Sequence, residues 1–313
     1  MKEWWILIIK TLVFLALFLV VDTLLGPLFL IAKDKALERH PNDLWLKTSY
    51  AVEKVDADCL VIGSSTSIRH YDPALIEKGT GLSTYNCGQD GCFFLYSCCL
   101  INTILERYSP QVVILDINPG NLLDVERKDE YQNMRFLSYY YDKDPVVRKY
   151  VDSKGERNKL LYHLNCCRYN SHFIYTFYPL VHETPTQLGY SPLPPKKHAL
   201  KKVKKQVSWE GNWMVPKLSE LDNLIDNCKK KGTELIVVTS PYYADFDDSA
   251  MKKCDEFAEM LSRKGIKYIN FLNKAPYNTD YLLYRDNSHM NAKGAEIMSD
   301  TIAKIIRSMR STN

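Results

Sequence analysis

The chain opens with an apolar stretch from Trp4 to Ala32, and between Thr11 and Ala32 its one charge is Asp22. About 20 such residues cross a hydrocarbon core as a helix. Trp4 and Trp5 stand where interfacial aromatics belong, and Lys33 and Lys35 close the far end. The stretch is longer than a signal-peptide core and lacks a small-residue cleavage site. Helices apolar on every face over this length are rare in soluble cores. One transmembrane helix over residues 1–35 is therefore expected, with membrane lipid as its partner and a polar linker over 36–58.

From residue 59 the pattern changes to short apolar runs separated by amphipathic segments. CLVIGSS (59–65), STYNCG (83–88), QVVILDI (111–117), ELIVVTS (234–240) and KYINF (267–271) read as buried strands. Helices fit 90–107, 216–231, 249–264 and 291–310, the last with Met298, Ile302, Ile305 and Met309 on one face. Strands alternating with helices predict an α/β fold, one domain over 59–313 with a mainly parallel sheet. In such sheets ligands bind at the carboxyl ends of the strands.

Residues 118–212 interrupt this alternation and hold ten of the 21 tyrosines, among them Tyr139, Tyr140, Tyr141, Tyr162, Tyr169 and Tyr178. One reading is a cap over the strand ends with an aromatic wall facing sugar or lipid. The other is half-buried packing. Within this insertion, residues 194–206 carry Lys196, Lys197, Lys201, Lys202, Lys204 and Lys205. Such a cluster suits anionic head groups or an anionic polymer; a solvated loop is the plainer reading.

Composition narrows the classes. The 313 residues are 46% hydrophobic and 25% charged, a folded chain with ample length for a core. A formal charge of +4 argues against a nucleic-acid partner. The mean hydropathy of -0.27 averages a membrane span with a polar domain. Nine cysteines form no CxxC pair and no zinc-spaced cluster, so no metal is expected. Unpaired thiols suit a reducing compartment. Lys33, Lys35, Arg39 and Lys47 after the span lean the same way, towards a cytoplasmic C-terminal domain.

Two motifs carry candidate chemistry. The first strand ends in Gly63-Ser64-Ser65, which exposes a hydroxyl where a nucleophile is useful, although serines are also common in turns. Near the C-terminus, Asp286-Asn287-Ser288-His289 precedes the last helix. Three residues of turn put both side chains on one side, where the carboxylate orients Nδ1–H and leaves Nε2 free to take a serine proton. The plainer alternative is that Asp286 caps a turn and His289 is a surface residue.

Gly63-Ser64-Ser65, then Asn86-Cys87-Gly88-Gln89-Asp90-Gly91, then Asp286-x-x-His289 with Asn291 and Gly294 resemble the SGNH/GDSL hydrolase superfamily in order and spacing over roughly 59–310. That resemblance implies a three-layer α/β/α, flavodoxin-like fold and a serine hydrolase or acyltransferase working through an acyl-enzyme without a cofactor. It implies Ser65 as nucleophile, with Ser64 in place of the usual Asp, His289 as base and Asp286 as its partner. The oxyanion donors it implies are the Ser65 and Gly91 backbone N–H groups. The family's Gly-x-Asn-Asp block is absent; the third strand runs instead into Asp116-Ile117-Asn118-Pro119-Gly120-Asn121, where Asn118, alternatively Asn121, or neither, is the side-chain donor. The N-terminal span is similar to the membrane-anchored, DltD-like and polysaccharide O-acetylation-like branch. This implies an extracytoplasmic domain, acylated carbohydrate or another ester as substrate, and a membrane acyltransferase as a further partner. Two rivals are a degenerate SGNH domain that binds polysaccharide or scaffolds an assembly, and a lipid-directed esterase.

Overall fold

The computed structural model describes residues 2–124, 132–170, 172–196, 198–202 and 206–311. Helix α1 (Lys2–Arg39) and α2 (Lys47–Glu53) precede β1 (Cys59–Gly63), α3 (Ser65–His70), α4 (Pro73–Thr80), β2 (Thr84–Asn86), α5 (Phe94–Arg107) and β3 (Val112–Asp116). The insertion supplies α6 (Pro145–Asp152), α7 (Glu156–Tyr162), α8 (Asn165–Arg168) and α9 (Phe173–Phe177). The chain closes with α10 (Val215–Lys230), β4 (Glu234–Thr239), α11 (Asp248–Arg263), β5 (Lys267–Asn270) and α12 (Ala292–Arg310).

All five strands pair in parallel, in the order β2-β1-β3-β4-β5. This is the expected α/β/α architecture. Side chains alternate across the sheet, so each strand feeds two cores. Leu60, Ile62, Val113 and Leu115 pack with α5, α10 and α11, whereas Val61, Ile114, Ile236 and Val238 pack with α4 and α12. On α12 the buried face runs through Met298, Ile302 and Ile306; Ile305 and Met309 sit at its edge, because 3.6 residues per turn carry the stripe one position on. Seven of the nine cysteines are buried and all nine are free thiols. They pack as small hydrophobes, and burial pushes the Cys59 and Cys87 thiols up to about 12.

The expected linker over 36–58 is instead part of the fold. Ala36, Leu37 and Leu46 form a small core against Tyr50 and Leu180. Lys33 pairs with Glu53, and the Tyr140 hydroxyl donates to the same carboxylate at 2.6 Å. The polar composition misled here because these polar groups are partnered inside the protein rather than in water.

The described residues of the insertion pack rather than wall a site. Tyr139, Tyr140, Tyr141, Tyr150 and Tyr169 are buried, and the Tyr141 and Tyr150 hydroxyls donate to Asp152 and Glu220. Tyr178 is exposed and stacks on His182. Of the cluster lysines, Lys202 pairs with Asp245 at 2.6 Å while Lys196 and Lys201 are exposed; Lys197, Lys204 and Lys205 lie outside the described residues.

One buried cation stands out. Lys47 is fully enclosed, and its ammonium donates to Gly189 O at 2.8 Å. Burial lowers it to about 7. The unfolded chain therefore holds the proton between pH 7 and about 10.4 while the folded one releases it, so this group makes stability rise with pH across that window. In urea titrations of the full chain in detergent, Lys47→Met should lower the slope of unfolding free energy against pH above 7 by up to about 1.4 kcal/mol per pH unit. Equal slopes for the two proteins would show that Lys47 stays charged.

Candidate active site

The site is assembled by the sheet. Residue Gly63 ends β1 in register with Asp116 at the end of β3. A Cβ at Gly63 would lie 2.6 Å from Asp116 O, so only glycine lets the two strands and the following turn approach this closely. Ser64 is extended and Ser65 opens α3, which turns the Ser65 side chain out at the carboxyl end of the sheet.

From the other end of the chain, Asp286 folds the turn that presents His289. Its Oδ1 accepts from Ser288 N at 2.8 Å and His289 N at 2.9 Å, and its Oδ2 lies 3.0 Å from His289 Nδ1. Across 224 positions of sequence, His289 Nε2 is 2.8 Å from Ser65 Oγ. Burial alone would raise the Asp286 carboxyl, but hydrogen bonds from the His289 ring and from the Ser288 and His289 N–H groups outweigh it and the net direction is down. An anionic Asp286 therefore receives Nδ1–H, leaving Nε2 as the acceptor facing the serine hydroxyl.

Ser65 and His289 face a cavity of about 250 Å³ at the point where strand order reverses between β1 and β3. Ser64, Ser65 and Thr66 reach it from β1, Asp116, Asn118 and Asn121 from β3, Thr239 and Ser240 from β4, and His289 from the segment after β5. Asn118 Oδ1 accepts from Gly120 N at 2.9 Å, which leaves its Nδ2 amide as the donor group. The turn is braced from below by Lys217, whose ammonium donates to Asn121 O at 2.7 Å. The loop after β2 contributes Phe93 instead of Gly91. Gly91 sits exposed at a left-handed turn with φ 68°, and it is not among the residues lining the cavity. Beyond Asn118 and Asn121 at its start, the insertion lines none of the cavity among the described residues.

Two buried residues that the sequence reading passed over support the site. His70, at the end of α3, accepts from Met290 N through Nε2 at 3.1 Å and so holds the backbone next to His289, with Ser288 O also 3.1 Å from that nitrogen. Burial, reinforced by the nearby His289, lowers it to about 3, so it stays neutral. Asp116 accepts from the Thr66 hydroxyl at 2.6 Å and from Ser240 N at 3.2 Å, tying the turns after β1, β3 and β4 together. Burial pushes its carboxyl up to about 6 against those hydrogen bonds. A carboxylate ending an apolar strand, as Asp116 does in VVILD, is the sequence signal that was available.

No protein-family model matches the chain, and no curated protein matches its sequence. Among solved structures, the chain is similar to a candidate acylhydrolase from Bacteroides fragilis, at 9% identity over 84% of this chain and 94% of that one, with a TM-score of 0.43. A candidate lipolytic protein of the G-D-S-L family from Desulfitobacterium hafniense matches at 11% identity over 79% and 99%, with a TM-score of 0.38. A family two carbohydrate esterase from Clostridium thermocellum, solved with cellohexaose, matches at 8% identity over 81% and 64%, also with a TM-score of 0.38.

Asp116 yields a pH test of the site's electrostatics. Its folded pKa lies above the unfolded value near 3.9, so the stability it confers is full below about pH 4 and is lost as pH rises through about 6. Asp116→Asn should therefore gain stability relative to wild type across that interval, read as the difference between their urea midpoints at pH 4.5 and 7. A constant difference would mean that Asp116 titrates normally.

Proposed function

We propose that the protein is a serine acyl-ester enzyme, an SGNH-type esterase or O-acyltransferase acting on acyl, chiefly acetyl, esters of cell-surface polysaccharide. The observation that carries this reading is the unbroken relay from Asp286 through His289 to Ser65, with 3.0 and 2.8 Å links. Ser65 attacks the ester carbonyl as His289 Nε2 takes its proton, and His289 then returns that proton to the leaving alkoxide. Asp286 fixes the imidazole tautomer and stabilises the imidazolium. The Ser65 N–H and the Asn118 amide are the proposed oxyanion donors; Gly91 stands outside the cavity lining and is not assigned that role. Water or a sugar hydroxyl then opens the acyl-enzyme.

The lining favours a carbohydrate ester over a lipid. Ser64, Thr66, Asn118, Asn121, Thr239 and Ser240 offer hydroxyls and amides, with Phe93 and Tyr242 as the aromatic surfaces. Small volume and polar walls suit a short acyl group on a hydroxyl-rich acceptor rather than a long chain. The relay weighs against a scaffold without chemistry, since such a role needs no imidazole aimed at a serine.

For location, α1 contains a helix long and apolar enough to cross a membrane. We take it as a single-pass anchor with the catalytic domain outside the cytoplasmic membrane. The burial of seven thiols answers the cysteine objection to an oxidising side, because enclosed thiols resist oxidation.

A fluorophosphonate probe should label the wild type and not Ser65→Ala, with His289→Ala similarly silent. Labelling of wild type and Ser65→Ala alike would sink the nucleophile assignment. With an acetylated oligosaccharide, Asn118→Ala should lower kcat by about 10²–10³-fold, the cost of one oxyanion donor. Protease added to spheroplasts should digest the domain; full protection would place it on the cytoplasmic side.

A further inference from the structure

Helix α1 is two helices in one. Residues 2–21 are exposed throughout, whereas from Asp22 onward one face is covered: Asp22, Gly26, Phe29, Lys33 and Ala36 are buried in helical succession. What covers that face from Asp22 to Phe29 is the insertion. Asn165 N and Cys166 N donate to the Asp22 carboxylate at 2.9 and 2.7 Å, and Asn165 Nδ2 donates to Asp22 O at 3.0 Å. A Cβ at Gly26 would meet Asn165 Oδ1 at 2.7 Å, so the glycine admits α8 against the helix. One turn higher, Phe29 stacks on Tyr169 at 5.0 Å and meets the edge of Phe177 at 5.3 Å.

The free part of α1 sets a length scale. Trp4 to Val21 is about 27 Å of helix at 1.5 Å per residue, close to the roughly 30 Å hydrocarbon thickness. The bilayer boundary therefore falls beside Asp22, where α8 docks. The opposite face of α1 stays apolar and exposed above that level, through Leu24, Leu28 and Ile31, which extends the lipid-facing surface into the interfacial layer.

The insertion exposes large apolar side chains beside this boundary. Leu160 is 70% exposed and Leu161 36%, on the helix that leads directly into α8; Phe173 is 66% and Ile174 65% exposed at the start of α9, which packs along α1. Phe173 lies against Phe177, with ring centroids 5.0 Å apart, and Phe177 is the ring that meets Phe29. Phe173 is thus joined through Phe177 to α1 at Phe29, and Leu160 and Leu161 lie on the helix that packs against α8. Large apolar side chains left exposed together on neighbouring helices of a folded chain mark an interaction site.

Resting on the membrane reading of α1, we infer that the insertion is a membrane-seated foot: Leu160, Leu161, Phe173 and Ile174 enter the lipid interface around the exit of the anchor. The occupant of this surface is the bilayer itself. Exposed Arg157 and Lys159 on α7 flank the leucines and suit anionic head groups. The anchor, pinned through Asp22, and the foot together fix the catalytic domain in one orientation above the membrane instead of leaving it on a flexible tether.

The test uses the full chain in phosphatidylcholine vesicles with a polarity-sensitive nitrobenzoxadiazole label. The background is Cys166→Ser with Cys167→Ser, since the other seven thiols are buried. Labels are placed through Phe173→Cys, Ile174→Cys, Leu12→Cys in the span and Ser262→Cys on the exposed side of α11. The expected result is blue-shifted emission at 173 and 174, quenched by a spin label near the head-group end of the lipid chain several-fold more strongly than at 262. Ready quenching of 173 and 174 by aqueous iodide, while the Leu12 site is quenched from the bilayer centre, would overturn the foot and leave the anchor standing. An aqueous Leu12 site would overturn both. Blue-shifted labels at 173 and 174 that lipid spin labels do not reach would show protein, not lipid, covering the patch, and would also overturn it.

Discussion

The close approach of β1 and β3 is the constraint on which the site depends. Their register brings Gly63 opposite Asp116, and the missing side chain at Gly63 allows the turn carrying Ser65 to sit against the end of β3. With the strands in this order, the first crossover leaves on one side and the second on the other, so a crevice opens between them. The segment after β5 then has a fixed place to deliver His289. A larger residue at Gly63 would push β1 and β3 apart and move Ser65 away from an imidazole 2.8 Å off.

Buried polar groups hold this geometry. Asp116 links the turns after three strands through the Thr66 hydroxyl and Ser240 N, while His70 holds the backbone around His289. Both are costly placements, as their displaced pKa values record: a carboxyl pushed up to about 6 and an imidazole lowered to about 3, each mainly by burial. The Asp116 hydrogen bonds rigidify the site, because breaking them leaves a buried polar group unpaired in a low-dielectric interior. Asp116 also brings a carboxylate to the lining of the cavity that Ser65 and His289 face.

The same logic operates at the N-terminus. An aspartate in an otherwise apolar helix is expensive in hydrocarbon. Asp22 is instead buried under two backbone N–H donors of α8. Its charge therefore marks the docking point of the insertion, and the helix above it belongs to the folded domain. The insertion's tyrosines serve this packing, with Tyr169 against Phe29 and Tyr140 joined to Glu53.

The strands, the principal helices and the long apolar N-terminal helix were legible in the sequence because hydrophobic periodicity is local: VVILD and ELIVVT announce buried strands wherever they lie. Ser65, Asp286 and His289 stood out as candidates because strand-end position and i,i+3 spacing are also local, and the fold brings the three together. Tertiary structure alone decided that residues 36–58 pack instead of linking, that the described part of the insertion seats on α1 rather than roofing the cavity, and that Phe93 rather than Gly91 is among the residues lining it. It also decided the roles of His70, Asp116 and Lys47, since a side chain's desolvation and partners are set by residues far away in the chain. Lys47 meets Gly189 across 142 positions and His70 meets Ser288 across 218, separations over which no periodicity carries information.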